Sequence, residues 1–368
     1  SKMSYNSMIA PTKYFQGKGL LNEIYDRTCH LGKKYAFLVD DIVYNIIEAK
    51  IKKAFEGKDG EYIYIFHGGE STLEEALRIA TLLRENECDI IVGVGGGKVL
   101  DSAKRAAMEL EHVKTVIVPT SAASDAPCTA NTCIYDERGT FLRAEKPKEN
   151  PSVVLVDTEV IAGAPVRLLV SGMGDAFVTY YEARANRAAG IPNLSGGDCT
   201  LAGFATAKLC RDVLLEHGVK AKEAVEKKAW SKEVDYVAEA NIYLSGVGFE
   251  NNGAAMCHAT YNGLTAVLTP FPVMHGEGVA FGLMLQLVME YTEAGKWDDA
   301  EWKMVVDFYH SVGLPTKFSQ IKIDDPNDAL LAKIAQAIDE TPNAHKMPFD
   351  VNADKILAGL KKVREMDI

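Results

Sequence analysis

Five short runs rich in β-branched, aliphatic and aromatic residues punctuate the first half of the chain, at 35–39, 62–66, 90–94, 115–118 and 153–156. Each is of strand length. Between them lie helical patterns. Ser71 and Glu74 fit a capping box, and Leu73, Ala76, Leu77, Ala80 and Leu83 fall on one helical face. Ile47, Ile51 and Phe55 repeat at the four-residue step of another helix packed on a sheet. Strands alternating with helices predict parallel pairing, because parallel neighbours need a crossover connection. Past residue 165 the pattern changes: 178–189, 202–217, 234–247 and 279–291 are helix-length, and isolated strands become hard to find. The expected architecture is an α/β N-terminal domain with a mainly parallel Rossmann-like sheet over 1–163, followed by an all-α C-terminal domain over 164–368. The default place for an active site is the cleft between them. No internal repeat and no Ser/Gly linker interrupts this order.

Composition narrows the class. Of 368 residues, 47% are hydrophobic and 25% charged, with 30 Gly and 13 Pro, which excludes wholesale disorder and collagen-like repeats. Forty basic against 51 acidic residues leave a net charge of −11, which disfavours nucleic acid or an anionic membrane as partner and predicts a small ligand. The seven cysteines form no C-x-x-C pair and read as reduced thiols of a cytoplasmic protein. No segment has the apolar length of a signal peptide core or a membrane span.

Three regions offer chemistry. The run at 90–92 leads into Gly93-Val94-Gly95-Gly96-Gly97-Lys98-Val99-Leu100-Asp101, where a helix begins. Glycines let backbone N–H groups approach a ligand, and a helix N-terminus favours an anion such as a pyrophosphate. The spacing is neither the dinucleotide fingerprint nor a Walker A loop, so a plain strand-to-helix turn is the competing reading. Asp40 and Asp41 follow the first predicted strand, placed either to accept from ribose hydroxyls or to cap a helix. A second polar loop, from Pro119 through Thr120, Asp125, Thr129 and Asn131 to Tyr135, lies either where open α/β sheets place ligands or in a turn that bonds its own backbone. In the helical half, Asp175, His258 and His275 supply one carboxylate and two imidazoles amid small and apolar neighbours. Three protein ligands with an open fourth position are the arrangement of catalytic zinc, although separations of 83 and 17 residues match no local motif.

Taken together, these residues resemble the glycerol dehydrogenase family, within the iron-containing (group III) alcohol dehydrogenase superfamily. The similarity runs from Tyr14-Phe15-Gln16-Gly17 through Gly95-Gly96-Gly97-Lys98, Thr120 with Asp125-Ala126-Pro127, Asn150-Pro151, Val156-Asp157-Thr158, Gly163-Ala164-Pro165 and Gly174-Asp175-Ala176. It continues through Leu244-Ser245-Gly246-Val247-Gly248-Phe249-Glu250, His258 and His275-Gly276-Glu277 to Gly313-Leu314-Pro315. The resemblance implies a dehydroquinate synthase-like architecture, a homo-oligomer, and NAD contacts from Asp40, Gly97, Lys98, Val99, Leu100, Asp101, Thr120, Thr129, Asn131 and Tyr135. It also implies that Asp125 holds substrate hydroxyls and that Asp175, His258 and His275 bind zinc. The implied activity is NAD-dependent oxidation of glycerol or a related small vicinal diol to dihydroxyacetone or the hydroxyketone, by zinc-assisted hydride transfer.

Several positions depart from the family's usual pattern. Val99 stands where Thr is common, Ala123 replaces a hydroxyl residue, Asn131 stands for Leu, and Gly278 follows His-Gly-Glu in place of Lys. Iron-type members add a His four residues after the aspartate, where this chain has Thr179. Two related activities, a dehydroquinate-synthase-like lyase and glycerol-1-phosphate dehydrogenase, need a basic cluster for a substrate phosphate, and the metal motifs show none. A non-catalytic nucleotide- or metal-binding protein is the remaining alternative. For the proton relay, water and His345 stand as equal expectations.

Overall fold

The computed structural model describes residues 4–366 and 368. The first part of the chain builds strands β1 (Lys13–Gly17), β2 (Lys34–Val39), β3 (Glu61–Phe66), β4 (Ile90–Gly95), β5 (Lys114–Pro119), β6 (Thr132–Tyr135), β7 (Phe141–Glu145) and β8 (Val153–Asp157). Interleaved with them are α1 (Ile24–Thr28), α2 (Asp41–Phe55), α3 (Leu73–Glu85), α4 (Gly97–Ala107) and α5 (Thr158–Gly163). Six strands form one parallel sheet in the order β1-β8-β5-β4-β2-β3, and β6 and β7 form a separate antiparallel pair. All five predicted strands are present in the sheet. β2, β4 and β8 are almost wholly buried, so their apolar runs leave no polar alternation.

The remaining chain is helical: α6 (Val166–Ala189), α7 (Leu201–Glu226), α8 (Lys232–Ala238), α9 (Ser245–Glu250), α10 (Met256–Val267), α11 (His275–Ala294), α12 (Asp299–Val312), α13 (Asp328–Asp339) and α14 (Ala353–Glu365). Among the described residues no strand follows Asp157. The chain divides into two compact units. One comprises Ala10–Pro165 with Ala224–Tyr243; the other comprises the described residues up to Ile9, Val166–Glu223 and Leu244–Ile368. The sequence expectation cut the chain once, after residue 163; α8 and the turns following it instead belong with the sheet. No helix is long and apolar enough to cross a membrane among the described residues.

Three local expectations need correction. The cap of α3 is Thr72, whose side chain accepts from the Glu75 N–H, while Ser71 Oγ donates to the Cys133 carbonyl. The buried face of α3 is Ala76, Ile79, Ala80 and Leu83, and Leu77 is 42% exposed. Ile79 competes for the same stripe, three residues after Ala76 and four before Leu83, and wins it. The predicted helix over 234–247 is α8, a π-helical turn over Glu239–Leu244, and α9.

Candidate active site

In the sheet-containing unit, chain order fixes where a ligand goes. β2 is followed by β3 on one side of it, whereas β4 lies on its other side and is followed by β5 further out. The direction of strand addition therefore reverses between β2 and β4, and open α/β sheets bind ligands beyond the carboxyl ends of strands at such a reversal. Asp40 directly follows β2, and Gly95 closes β4 just ahead of Gly96 and Gly97. Asp40 caps α2, its Oδ1 accepting from the Val43 N–H at 2.8 Å, so the capping alternative holds for that oxygen. Gly96 is the N-cap of α4 and offers no side-chain oxygen to the first turn, and a Cβ at Gly96 or Gly97 would meet nothing within 4 Å. This opening exposes the orphan N–H groups of a helix start, which suit an anionic group.

Side chains behind the opening hold it in shape. Val99 and Leu100 are buried, so only their backbones can reach a ligand. Lys98 is paired with Glu70 at 3.0 Å. Asp101 is buried and accepts from the Cys133 N–H at 3.2 Å. Burial pushes its carboxyl up to about 6, against the opposing influence of the Lys104 charge and the Cys133 N–H. Lys104, itself buried, donates to the carbonyls of Ala126 at 2.6 Å, Thr129 at 2.9 Å and Asn131 at 3.2 Å, fastening the polar loop to α4. Thr129 Oγ1 donates back to the Ala126 carbonyl, Thr120 is half-buried, and the Tyr135 ring meets Phe141 edge-on. Asp125 precedes the one-turn helix Ala126–Cys128 without a side-chain capping bond to it. From the π-helical turn, buried Asn241 donates to the Ala122 carbonyl at 2.9 Å.

In the helical unit, three helices bring the candidate metal ligands together. Asp175 lies on α6, His258 is the third residue of α10, and His275 is the first residue of α11. The approach of α11 to α6 depends on Gly276, where a Cβ would overlap the Ser171 carbonyl. Glu277 then secures the helix start, accepting from the Met274 N–H at 2.8 Å and pairing with Arg167 at 2.9 Å.

The three donor atoms lie within 4.8 Å of one another. Asp175 is 1% exposed and both carboxylate oxygens are buried without a hydrogen-bond partner, with His258 Nε2 at 3.3 Å and His275 Nε2 at 3.5 Å from Oδ1. Burial raises the Asp175 pKa, but the two imidazoles outweigh it and hold the carboxyl well below the usual range. Burial likewise lowers His258, and the Glu182 and Asp175 carboxylates overcome it, raising the imidazole well above its ordinary value. A buried carboxylate with orphaned oxygens beside two imidazole nitrogens is a donor set that a divalent cation fits.

Around this cluster the residues have unequal roles. Thr179 is buried and its hydroxyl reaches the Asp175 backbone carbonyl at 3.3 Å and Ser245 Oγ at 3.2 Å. Phe249 stacks on His258, and Tyr261 meets His275 edge-on at 4.6 Å between centroids. Glu182, two turns beyond Asp175 on α6, contacts His258 Nδ1 at 2.6 Å. Glu182, Lys104 and Asn241 were not singled out from sequence. For Glu182 the available signal was a carboxylate seven residues after Asp175, on the same face of a largely apolar helix. His345, the sequence's alternative to water as proton relay, donates to the Asp339 carbonyl at 2.7 Å and lines a cavity of about 390 Å³ with Ala188 and Ala189. Those two alanines lie thirteen and fourteen positions beyond Asp175 on one helix, about 20 Å at 1.5 Å per residue.

Residues 11–158 match the family described as iron-containing alcohol dehydrogenase. The glycerol dehydrogenase of Escherichia coli is 38% identical over 352 residues, covering 95% of this chain and 94% of that one. The glycolaldehyde reductase of Halobacterium salinarum is 38% identical over 360 residues, covering 97% and 96%. The crystal structure of glycerol dehydrogenase from Schizosaccharomyces pombe superposes with a TM-score of 0.91 at 31% identity, covering 98% of this chain and 91% of that one. With near-complete coverage at these identities, the chain belongs to the glycerol dehydrogenase family of the iron-containing alcohol dehydrogenases.

Proposed function

We propose that the chain oxidises glycerol or another small vicinal diol to dihydroxyacetone or the corresponding hydroxyketone, with NAD as oxidant. The observation that carries this is the Asp175 carboxylate, buried with both oxygens orphaned between two imidazole nitrogens, in a chain of this family. When bound, a divalent ion supplies Lewis acidity to an alcohol oxygen and a nicotinamide ring supplies the hydride acceptor. Zinc is the proposed ion. One carboxylate oxygen and two imidazole nitrogens form a three-ligand set of the catalytic zinc type, and Thr179 adds no nitrogen donor.

The chain's own residues divide the remaining work. Asp175, His258 and His275 hold the ion, and the partly exposed His275 marks the open side of the cluster. Gly97 and Lys98, with the backbones of Val99 and Leu100, receive the cofactor's pyrophosphate. Asp101, Thr120, Thr129, Asn131 and Tyr135 complete the nucleotide contacts. Asp40 spends one oxygen on α2 and uses the other to accept from a ribose hydroxyl, which also repels a 2′-phosphate and favours NAD over NADP. Asp125 accepts from the hydroxyl adjacent to the one being oxidised, which orients the diol. Seven cysteines outside any disulfide fit a reducing compartment, the cytoplasm.

The test is NADH formation by purified protein with NAD at alkaline pH. Glycerol and 1,2-propanediol should exceed 1-propanol in kcat/KM by at least about tenfold, equivalent to roughly 1.4 kcal/mol, because a substrate lacking the second hydroxyl forgoes its charged hydrogen bond to Asp125. Asp125→Ala should collapse that ratio; an unchanged ratio removes Asp125 from the substrate site. Absence of NADH with every diol, together with absence of NADH consumption on glycolaldehyde or dihydroxyacetone, overturns the activity.

A further inference from the structure

Glu182 is 1% exposed and spends both oxygens on a single neighbour segment. Oε2 accepts from the backbone N–H groups of Ala255 at 2.6 Å and His258 at 3.0 Å, while Oε1 faces His258 Nδ1 at 2.6 Å. An ionised carboxylate can only accept, so Nδ1 must carry the proton and donate it. The other ring nitrogen, Nε2, is the one that points at Asp175 Oδ1, 3.3 Å away. Phe249, stacked 5.6 Å from the imidazole, limits ring rotation from the side. His275 differs: among the described residues its ring meets Asp175 and Tyr261 but no second carboxylate.

We propose that Glu182 is a positioning residue that selects the Nδ1–H form of His258, so that Nε2 offers its lone pair to the cluster with Asp175. The proposal rests on the metal reading of that cluster. A carboxylate behind a ligating imidazole fixes both tautomer and orientation, and loss of such a partner characteristically costs ten- to a hundredfold in metal affinity.

A purely structural Glu182 would be needed only to satisfy the Ala255 and His258 N–H groups, and a glutamine oxygen can still accept from both, though less strongly than a carboxylate. Glu182→Gln therefore separates the roles. With its oxygen on the backbone, its NH₂ faces Nδ1, forces that nitrogen to accept, and places the proton on Nε2. We expect wild-type protein to bind one Zn²⁺ in competition with a chromogenic chelator, and Glu182→Gln to bind it at least about tenfold more weakly while its near-ultraviolet circular dichroism remains native. Equal Zn²⁺ affinity of wild type and Glu182→Gln leaves the metal site standing and overturns the role of Glu182. No Zn²⁺ binding by wild type overturns the metal reading and the inference together. A measurement on the unmutated protein guards against misfolding of the variant: long-range proton–nitrogen correlation of the zinc-loaded form should show His258 protonated at Nδ1. A proton on Nε2 overturns the proposal.

Discussion

A methyl group added at residue 278 would sit 2.6 Å from Tyr261 Cδ2 and 3.3 Å from Phe271, so the absence of a side chain there gives Tyr261 its place beside His275. Gly278→Ala should displace that ring, lower the melting temperature by an amount corresponding to about 1–3 kcal/mol of overpacking, and weaken zinc binding. Truncating Tyr261 to Ala in the same protein should relieve most of the added strain, so the two changes should be strongly non-additive in melting curves. Strictly additive effects would show that the pair does not act as a unit. Asp101 gives a residue-scale prediction in pH. Its carboxyl is raised from 3.8 in the unfolded chain to about 6 when folded, so its favourable contribution is complete below about 3.8 and is lost as pH rises through about 6. Asp101→Asn keeps an acceptor for the Cys133 N–H and cannot ionise. Its melting temperature relative to wild type should therefore be higher near pH 8 than near pH 4, and the opposite slope would contradict the assignment.

At the scale of elements, the buried ammonium of Lys104 joins α4 to three carbonyls of the loop after β5. Lys104→Met retains the length of the side chain but orphans those oxygens, each costing about 1–3 kcal/mol if it stays buried. The expected result is a lower melting temperature with weaker NAD binding, read by quenching of protein fluorescence; unaltered NAD affinity would separate this loop from the nucleotide site. The same elements show what a sequence can reveal. β2, β4, β5 and β8 were legible because parallel strands covered on both faces become unbroken apolar runs. β1 was not, since KYFQG carries Lys, Gln and Gly beside only two aromatics, whereas β3, at the opposite sheet edge, keeps a run of alternating aromatic and aliphatic residues. The β6–β7 hairpin lies outside the main sheet and exposes Phe141 and Leu142, so neither periodicity marks it. A π-helical turn passes for α-helix in sequence because the six residues Glu239–Leu244 contain no helix breaker and are too few for a wider turn to be told from an α-helical one by periodicity. In the candidate site, Asp175, His258 and His275 stood out by donor type. Glu182 and Lys104 became legible only once α6 and α4 had fixed which atoms their side chains reach.

For the whole molecule, the proposed metal and nucleotide bind residues belonging to separate compact units, and that separation is testable without catalysis. Asp175, His258 and His275 come from α6, α10 and α11, so a shared ion would tie α6 to a pair of helices that follow much later in the chain. A ligand bound only by the folded state adds about 2.7 kcal/mol of stability at a hundred times its dissociation constant, whichever unit it occupies. Melting temperature alone therefore cannot distinguish the two ligands, whereas hydrogen exchange can, since protection concentrates where local opening would break the contacts. Zn²⁺ should slow exchange in α6, α10 and the first turns of α11. Mg²⁺, which prefers oxygen ligands in octahedral geometry, should do so far less. NAD should slow exchange in the first turn of α4 and at the start of α2, where Gly97 and Asp40 stand. Zn²⁺ binding should also weaken as pH falls, because protons compete for the imidazoles and His258 holds its proton above the ordinary histidine range. Zinc protection confined to α4, or zinc affinity that rises on acidification, would be incompatible with a site built from Asp175, His258 and His275.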